Sequence, residues 1–172
     1  MWKNIAVAGA LLATASGASA KDDKPCQDGL VCASKPETVA AALMKAGYQG
    51  LLSKDKVGDP MVDSAASGYK FSVYFYGCDK NVACDSVQFY AGFRNEEGRG
   101  VEFVNKWNAS KRFVQMSIDP ADQGLVLRYD VTTAGGLTQA NFADVIDWFA
   151  VMLDAFDEFA EENPGMAAVK GA

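Results

Sequence analysis

Four cysteines are the residues of this chain most able to do chemistry. They form two equally spaced pairs, Cys26 with Cys32 and Cys78 with Cys84. Such thiols can close structural disulfides or act as redox couples. Thiol–disulfide oxidoreductases place two residues between their cysteines, and neither pair matches that spacing. In an exported chain an even cysteine count reads as a disulfide framework. The expectation is two local bridges, each worth about 2 kcal/mol by the loop-entropy argument. The chain has no histidine, so it cannot itself supply a Ser-His-Asp or Cys-His centre, or a histidine-ligated zinc.

Carboxylates are the remaining reactive groups. Asp55, Asp59 and Asp63 recur every four residues. A calcium loop needs oxygens at alternate positions, so Gly58-Asp59-Pro60 reads as a turn. Glu96 and Glu97 fall in a polar turn. Asp154, Asp157, Glu158, Glu161 and Glu162 crowd the end of a helix, where their charge opposes the macrodipole. They read as solvated, or as a face for a basic partner. No cofactor or metal is expected. The one route to an enzyme is a carboxylate pair brought together by the fold, as in a hydrolase of the cell envelope.

Tyrosines offer binding chemistry. From Tyr69 to Phe93 two alternating runs flank a short loop. Tyr69, Phe71, Val73 and Phe75 share one face, as do Val87, Phe89, Ala91 and Phe93. If Cys78 sits opposite Cys84, Phe75 faces Val87, Val73 faces Phe89 and Phe71 faces Ala91. A one-residue slip would misplace every side chain. The other face carries Tyr74, Tyr76 and Tyr90 among Ser72, Ser86 and Gln88. Outward tyrosines suit a binding surface; they are equally ordinary strand residues. With helices on the odd face, Tyr74 and Tyr90 are expected to be largely exposed.

Residues 1–20 have the form of a signal peptide: Lys3, an apolar run from Ile5 to Ala15, and Ala18-Ser19-Ala20 before the cut. The run is too short for a bilayer span. The expected location is periplasmic or secreted, without membrane insertion after cleavage. A net charge of −6 argues against nucleic acid. Residues 21–35 form an N-terminal disulfide segment, 36–162 one domain and 163–172 a flexible tail.

Within the domain, Ser34 is expected to cap a helix over Pro36–Ala46 whose face is Val39, Ala42, Leu43 and Ala46. Strands follow near Tyr48–Ser53 and Met61–Ala65, then the hairpin. A helix over Val101–Ala109 carries Val104 and Trp107. Two strands bear Val114, Met116 and Ile118, then Leu125, Leu127, Tyr129 and Val131. Thr138 caps a last helix to Glu162. Its stripe Phe142, Val145, Ile146, Phe149, Leu153 and Phe156 is flanked by Trp148, Met152, Ala155 and Phe159. So wide an apolar face implies deep packing or contact with another chain.

The chain resembles the YbjN domain family of bacterial sensory transduction regulators. Pro36-Glu37, Val39, Leu43, Gly47-Tyr48, Asp55, Gly58-Asp59-Pro60, Ser64 and Gly68 carry the likeness. So do Phe71, Val73, Phe75, Tyr76-Gly77-Cys78, Cys84, Gly135-Gly136 and Trp148. Its most specific piece is Val104-Asn105-Lys106-Trp107-Asn108 with Arg112-Phe113. The resemblance implies an α+β fold like type III secretion chaperones. An antiparallel sheet of five to six strands has helices on one face, in the order α-β-β-β-(β)-α-β-β-α. It further implies a non-enzymatic, chaperone-like module whose partner is a polypeptide or envelope component, with a homodimer as the usual assembly. Asn105, Trp107, Asn108 and Arg112 are then motif residues, with Trp107 expected to hold its helix to the sheet.

Overall fold

Apolar alternation and cysteine placement choose the same register for the central hairpin, and the computed structural model, which describes residues 26–164, is built outward from it. Strand β4 (Tyr69–Tyr76) pairs with β5 (Ser86–Phe93) from Ser72–Tyr90 to Tyr76–Ser86. Val73 lies opposite Phe89, and Phe75 opposite Val87. Both expected disulfides are present, Cys26–Cys32 and Cys78–Cys84. The second closes the hairpin loop.

The other strands are β2 (Leu51–Lys54), β3 (Pro60–Ala66), β6 (Gln115–Ile118) and β7 (Leu125–Thr132). They complete a six-stranded antiparallel sheet ordered β2-β3-β4-β5-β7-β6. Among the described residues three helices complete the α+β fold: α1 (Pro36–Lys45), α2 (Val101–Ser110) and α3 (Gln139–Glu162). Phe149 of α3 meets Phe71 and Phe89 at ring distances of 5.2 Å, and Phe156 stacks on Phe93 at 4.1 Å. The odd face of the hairpin is thus the core face. Tyr69 sits at its margin, giving its hydroxyl hydrogen to Asp157. Burial first, then that bond and the Asp157 charge, push the Tyr69 phenol up to about 12.

Several expectations are corrected. Lys35, not Ser34, occupies the cap position of α1, and its side chain makes no capping bond. The Ser34 hydroxyl is buried and has no hydrogen-bond partner among the described residues. Thr38, one turn inside, accepts from Cys32 N–H at 3.0 Å and so ties the disulfide segment to the helix. Ala46 is exposed and Ala40 is buried in its place. The sequence also lacks a signal for β1 (Leu30–Val31) and β8 (Leu137–Thr138), which pair as a separate two-stranded sheet. Val31 and Ala33 are fully buried, so the segment after the first bridge packs into the common core. Thr138 caps α3 as expected, accepting from Asn141 N–H at 3.1 Å. Asn163, assigned by the sequence to the tail, is buried and donates to Phe159 O at 2.7 Å. The leader, its cut after Ala20, and residues 165–172 of the tail lie outside the described residues.

Candidate functional site

Antiparallel pairing lines up one row of side chains across the uncovered face of the sheet. Register places Leu51 opposite Asp63, Asp63 opposite Ser72, Ser72 opposite Tyr90, and Tyr90 opposite Arg128. Asp63 accepts from Ser53 Oγ and Ser72 Oγ, each at 2.8 Å, and so ties three strands together. Tyr74 meets Tyr90 edge to face at 5.6 Å. The Arg128 guanidinium lies 5.4 Å above the Tyr90 ring, and it also donates to Ser117 Oγ. Burial raises the Tyr90 phenol, against the pull of Arg128. Tyr76 is raised by burial and then by the Asp130 charge.

Asp63, Ser72, Tyr74 and Tyr90 floor a groove of about 580 Å³ that runs from Gln49 and Leu51 to Tyr90 and Gly92. A smaller hollow of about 250 Å³ continues it past Gly92 toward Asp119 and Asp122. The three tyrosines therefore share the outer face, but unequally. Tyr76 is 48% exposed, whereas Tyr74 and Tyr90 are half-buried against each other. The expectation of large exposure fails for that pair because neighbouring aromatic rings cover one another.

Where the groove ends, the sheet ends. Pro60 lies opposite Lys54 and has no N–H to give. Asp55 N–H donates to Asp59 O at 2.9 Å. Hydrogen-bonded pairs alternate in an antiparallel ladder, so Ser53 and Leu51 bond to β3. The main-chain groups of Leu52 and Lys54 point away from the sheet. Leu51 and Leu52 are 60% and 54% exposed.

The opposite edge is sealed by the Trp107-Asn108 motif. Trp107 is fully buried, and its Nε1 donates to Val114 O at 2.9 Å. Asn108 brackets Met116, accepting from its N–H at 2.8 Å and donating to its carbonyl at 3.1 Å. Consecutive residues of α2 thus satisfy the outward groups beside and within β6. Asn105 is exposed, and Arg112 lies over the Phe113 ring at 4.6 Å. The sequence marks this motif but does not reveal its target, since the carbonyls and amide it serves have no side-chain signature.

A family model described as "Putative bacterial sensory transduction regulator" (YbjN) matches residues 35–162. The chain belongs to the YbjN family. Among solved structures it is similar to "YbjN, a putative transcription regulator from E. coli". The two share 16% identity and a TM-score of 0.52, with 77% of this chain and 96% of that one covered. That likeness concerns the fold. A search of curated proteins finds no match. Asp119 and Asp122 each accept an amide hydrogen of their own turn, and Asp63 accepts from two serines. Among the described residues, no group of three or more Cys, Asp or Glu is placed to hold a metal. No helix among them is long and apolar enough to cross a membrane.

Proposed function

We propose that this YbjN-family protein is an exported, non-enzymatic module that binds an extended segment of a polypeptide or envelope component. The observation that carries the reading is the open β2 edge, where the main-chain groups of Leu52 and Lys54 point away from the sheet and meet no strand among the described residues, beside a tyrosine-floored groove. An added strand would take its main-chain bonds from that edge, and alternate side chains would enter the groove. Tyrosine supplies rigid area with a polar tip, which suits such a surface. Export is supported by the leader-like pattern of residues 1–20 and by two disulfides, which persist in oxidising compartments. A homodimer formed by pairing two β2 edges is a competing use of the same surface.

The test is affinity capture from envelope extract with the mature protein and with Tyr74→Ser/Tyr90→Ser. The double variant should stay folded and lose capture by more than about 1 kcal/mol. A folded variant with unchanged capture and unchanged oligomeric state would remove the reading. A large drop in melting temperature would instead assign the pair to stability.

A further inference from the structure

A second open edge lies on the far side of the sheet, where β7 outruns β6. Thr133 N–H donates to Asp85 O at 3.0 Å, in register with the β5–β7 pairs. Hydrogen-bonded pairs with β5 therefore fall at odd residues of β7, and the main-chain groups of Asp130 and Thr132 face the other way. Strand β6 covers that side only as far as Arg128. Beyond it, a groove of about 480 Å³ runs between this stretch of β7 and α3.

The lining of this groove has one sign of charge. Asp144 contributes a carboxylate, and no Lys or Arg lines it. The Asp130 carboxylate lies on the tyrosine face of the sheet, accepting from its cross-strand neighbour Gln88 at 2.7 Å, so the groove's anion is Asp144, exposed on α3. Val145 forms part of its apolar wall, and Tyr129 and Trp148 supply aromatic rings. Trp148 is 39% exposed and stacks on Phe113 at 4.0 Å with the ring planes 13° apart. Phe113 is held there with φ +67°, in a tight turn closed by Val114 N–H to Arg112 O at 2.7 Å. A bulky aromatic residue rarely adopts that conformation. The fold thus keeps an aromatic pair at the surface beside an anionic groove.

We infer that this groove binds an extended peptide segment carrying lysine or arginine. The Asp130 and Thr132 main-chain groups, two residues apart, match the repeat of an added strand. Asp144 and the Trp148 ring meet the cationic side chain by charge and by cation–π attraction. A small ammonium ion would leave the main-chain groups unused, so the peptide is the better occupant. The site is separate from the β2 edge and stands whether or not that edge binds a partner.

The test is calorimetric titration of the mature protein with an alternating lysine–valine pentapeptide and its glutamate–valine counterpart. The lysine peptide should bind about tenfold more tightly. Asp144→Asn and Trp148→Ala should each weaken it about threefold. N-methylation of its alternate amides should abolish binding, while Leu52→Pro at the opposite edge should leave it unchanged. Equal binding of the glutamate peptide would overturn the inference, as would no effect of Asp144→Asn in a folded variant. Tetramethylammonium binding as tightly as the peptide would overturn the strand-addition part. Loss of binding in Leu52→Pro would overturn the separateness of the two sites.

Discussion

The two outermost strands present the same main-chain chemistry to opposite sides of the molecule. Along β6 the outward groups meet side chains: Trp107 takes the Val114 carbonyl, and Asn108 takes both groups of Met116. Along β2, no side chain among the described residues takes the outward groups of Leu52 and Lys54. An exposed edge with apolar side chains is a pairing template, which proteins ordinarily blunt. A fold that devotes two adjacent helix residues to sealing one edge and leaves the other open treats its edges differently. The difference teaches that strand addition is blocked along β6 itself and left open along β2.

The sealed edge gives the largest expected effect. Trp107→Ala should cost about 3–5 kcal/mol in chemical denaturation, because a fully buried indole and its bond to Val114 are both lost. A cost under about 1 kcal/mol would mean that α2 is not held by Trp107.

Next comes the bridge at the hairpin loop. Cys78→Ser/Cys84→Ser should lower stability by about 2 kcal/mol through the freed loop. The register from Ser72 to Tyr76 should survive, because apolar alternation specifies it independently. Amide exchange along β4 and β5 would report this, and a shifted protection pattern would mean that the bridge alone sets the register.

That independence explains what was legible in the sequence. Hairpin register, the six-stranded α+β architecture and the Thr138 cap follow from period-two and helical patterns with their caps. Other features have no such pattern. The two-residue strands β1 and β8 are too short to alternate. The sheet order puts β7, not β6, beside β5, and nothing local to either strand records that choice. Trp107 reads as a buried anchor, yet the edge-sealing role of Asn108 depends on a strand eight residues later. Ser34 has the composition of a cap but its hydroxyl is turned inward, while Thr38 makes the bond. The partial cover of Tyr74 and Tyr90 arises from cross-strand neighbours that no single strand reveals.

A smaller effect separates Asn108 from its motif neighbour. Asn108→Ala should cost about 1 kcal/mol, the usual net value of lost hydrogen bonds where water can partly replace them. Asn105→Ala, at an exposed position, should stay within about 0.5 kcal/mol. The sharper readout is association. Asn108→Ala uncovers the Met116 amide and carbonyl, so it should raise concentration-dependent self-association in sedimentation. Equal behaviour of the two variants would show that α2 closes the β6 edge by bulk alone.

The smallest effect on stability is expected at the open edge, and it tests the geometry most directly. Proline removes an N–H, and its cost in a strand depends on where that N–H points. Leu52 N–H is directed away from the sheet, so Leu52→Pro should change stability by only about 0.5 kcal/mol. Ser53 N–H is directed at β3, and Ser53 Oγ also donates to Asp63. Ser53→Pro removes both bonds and should cost about 2 kcal/mol or more, taking about 1 kcal/mol for each. Thermal melts of the two variants read the parity of the ladder. Capture experiments then read its use: Leu52→Pro should be folded and blocked at the β2 edge. If both prolines cost the same, the alternation assigned from Pro60 and the Asp55–Asp59 bond is wrong. If Leu52→Pro folds and captures partners as the parent does, strand addition at this edge is removed, and binding would have to rest on the tyrosine face alone.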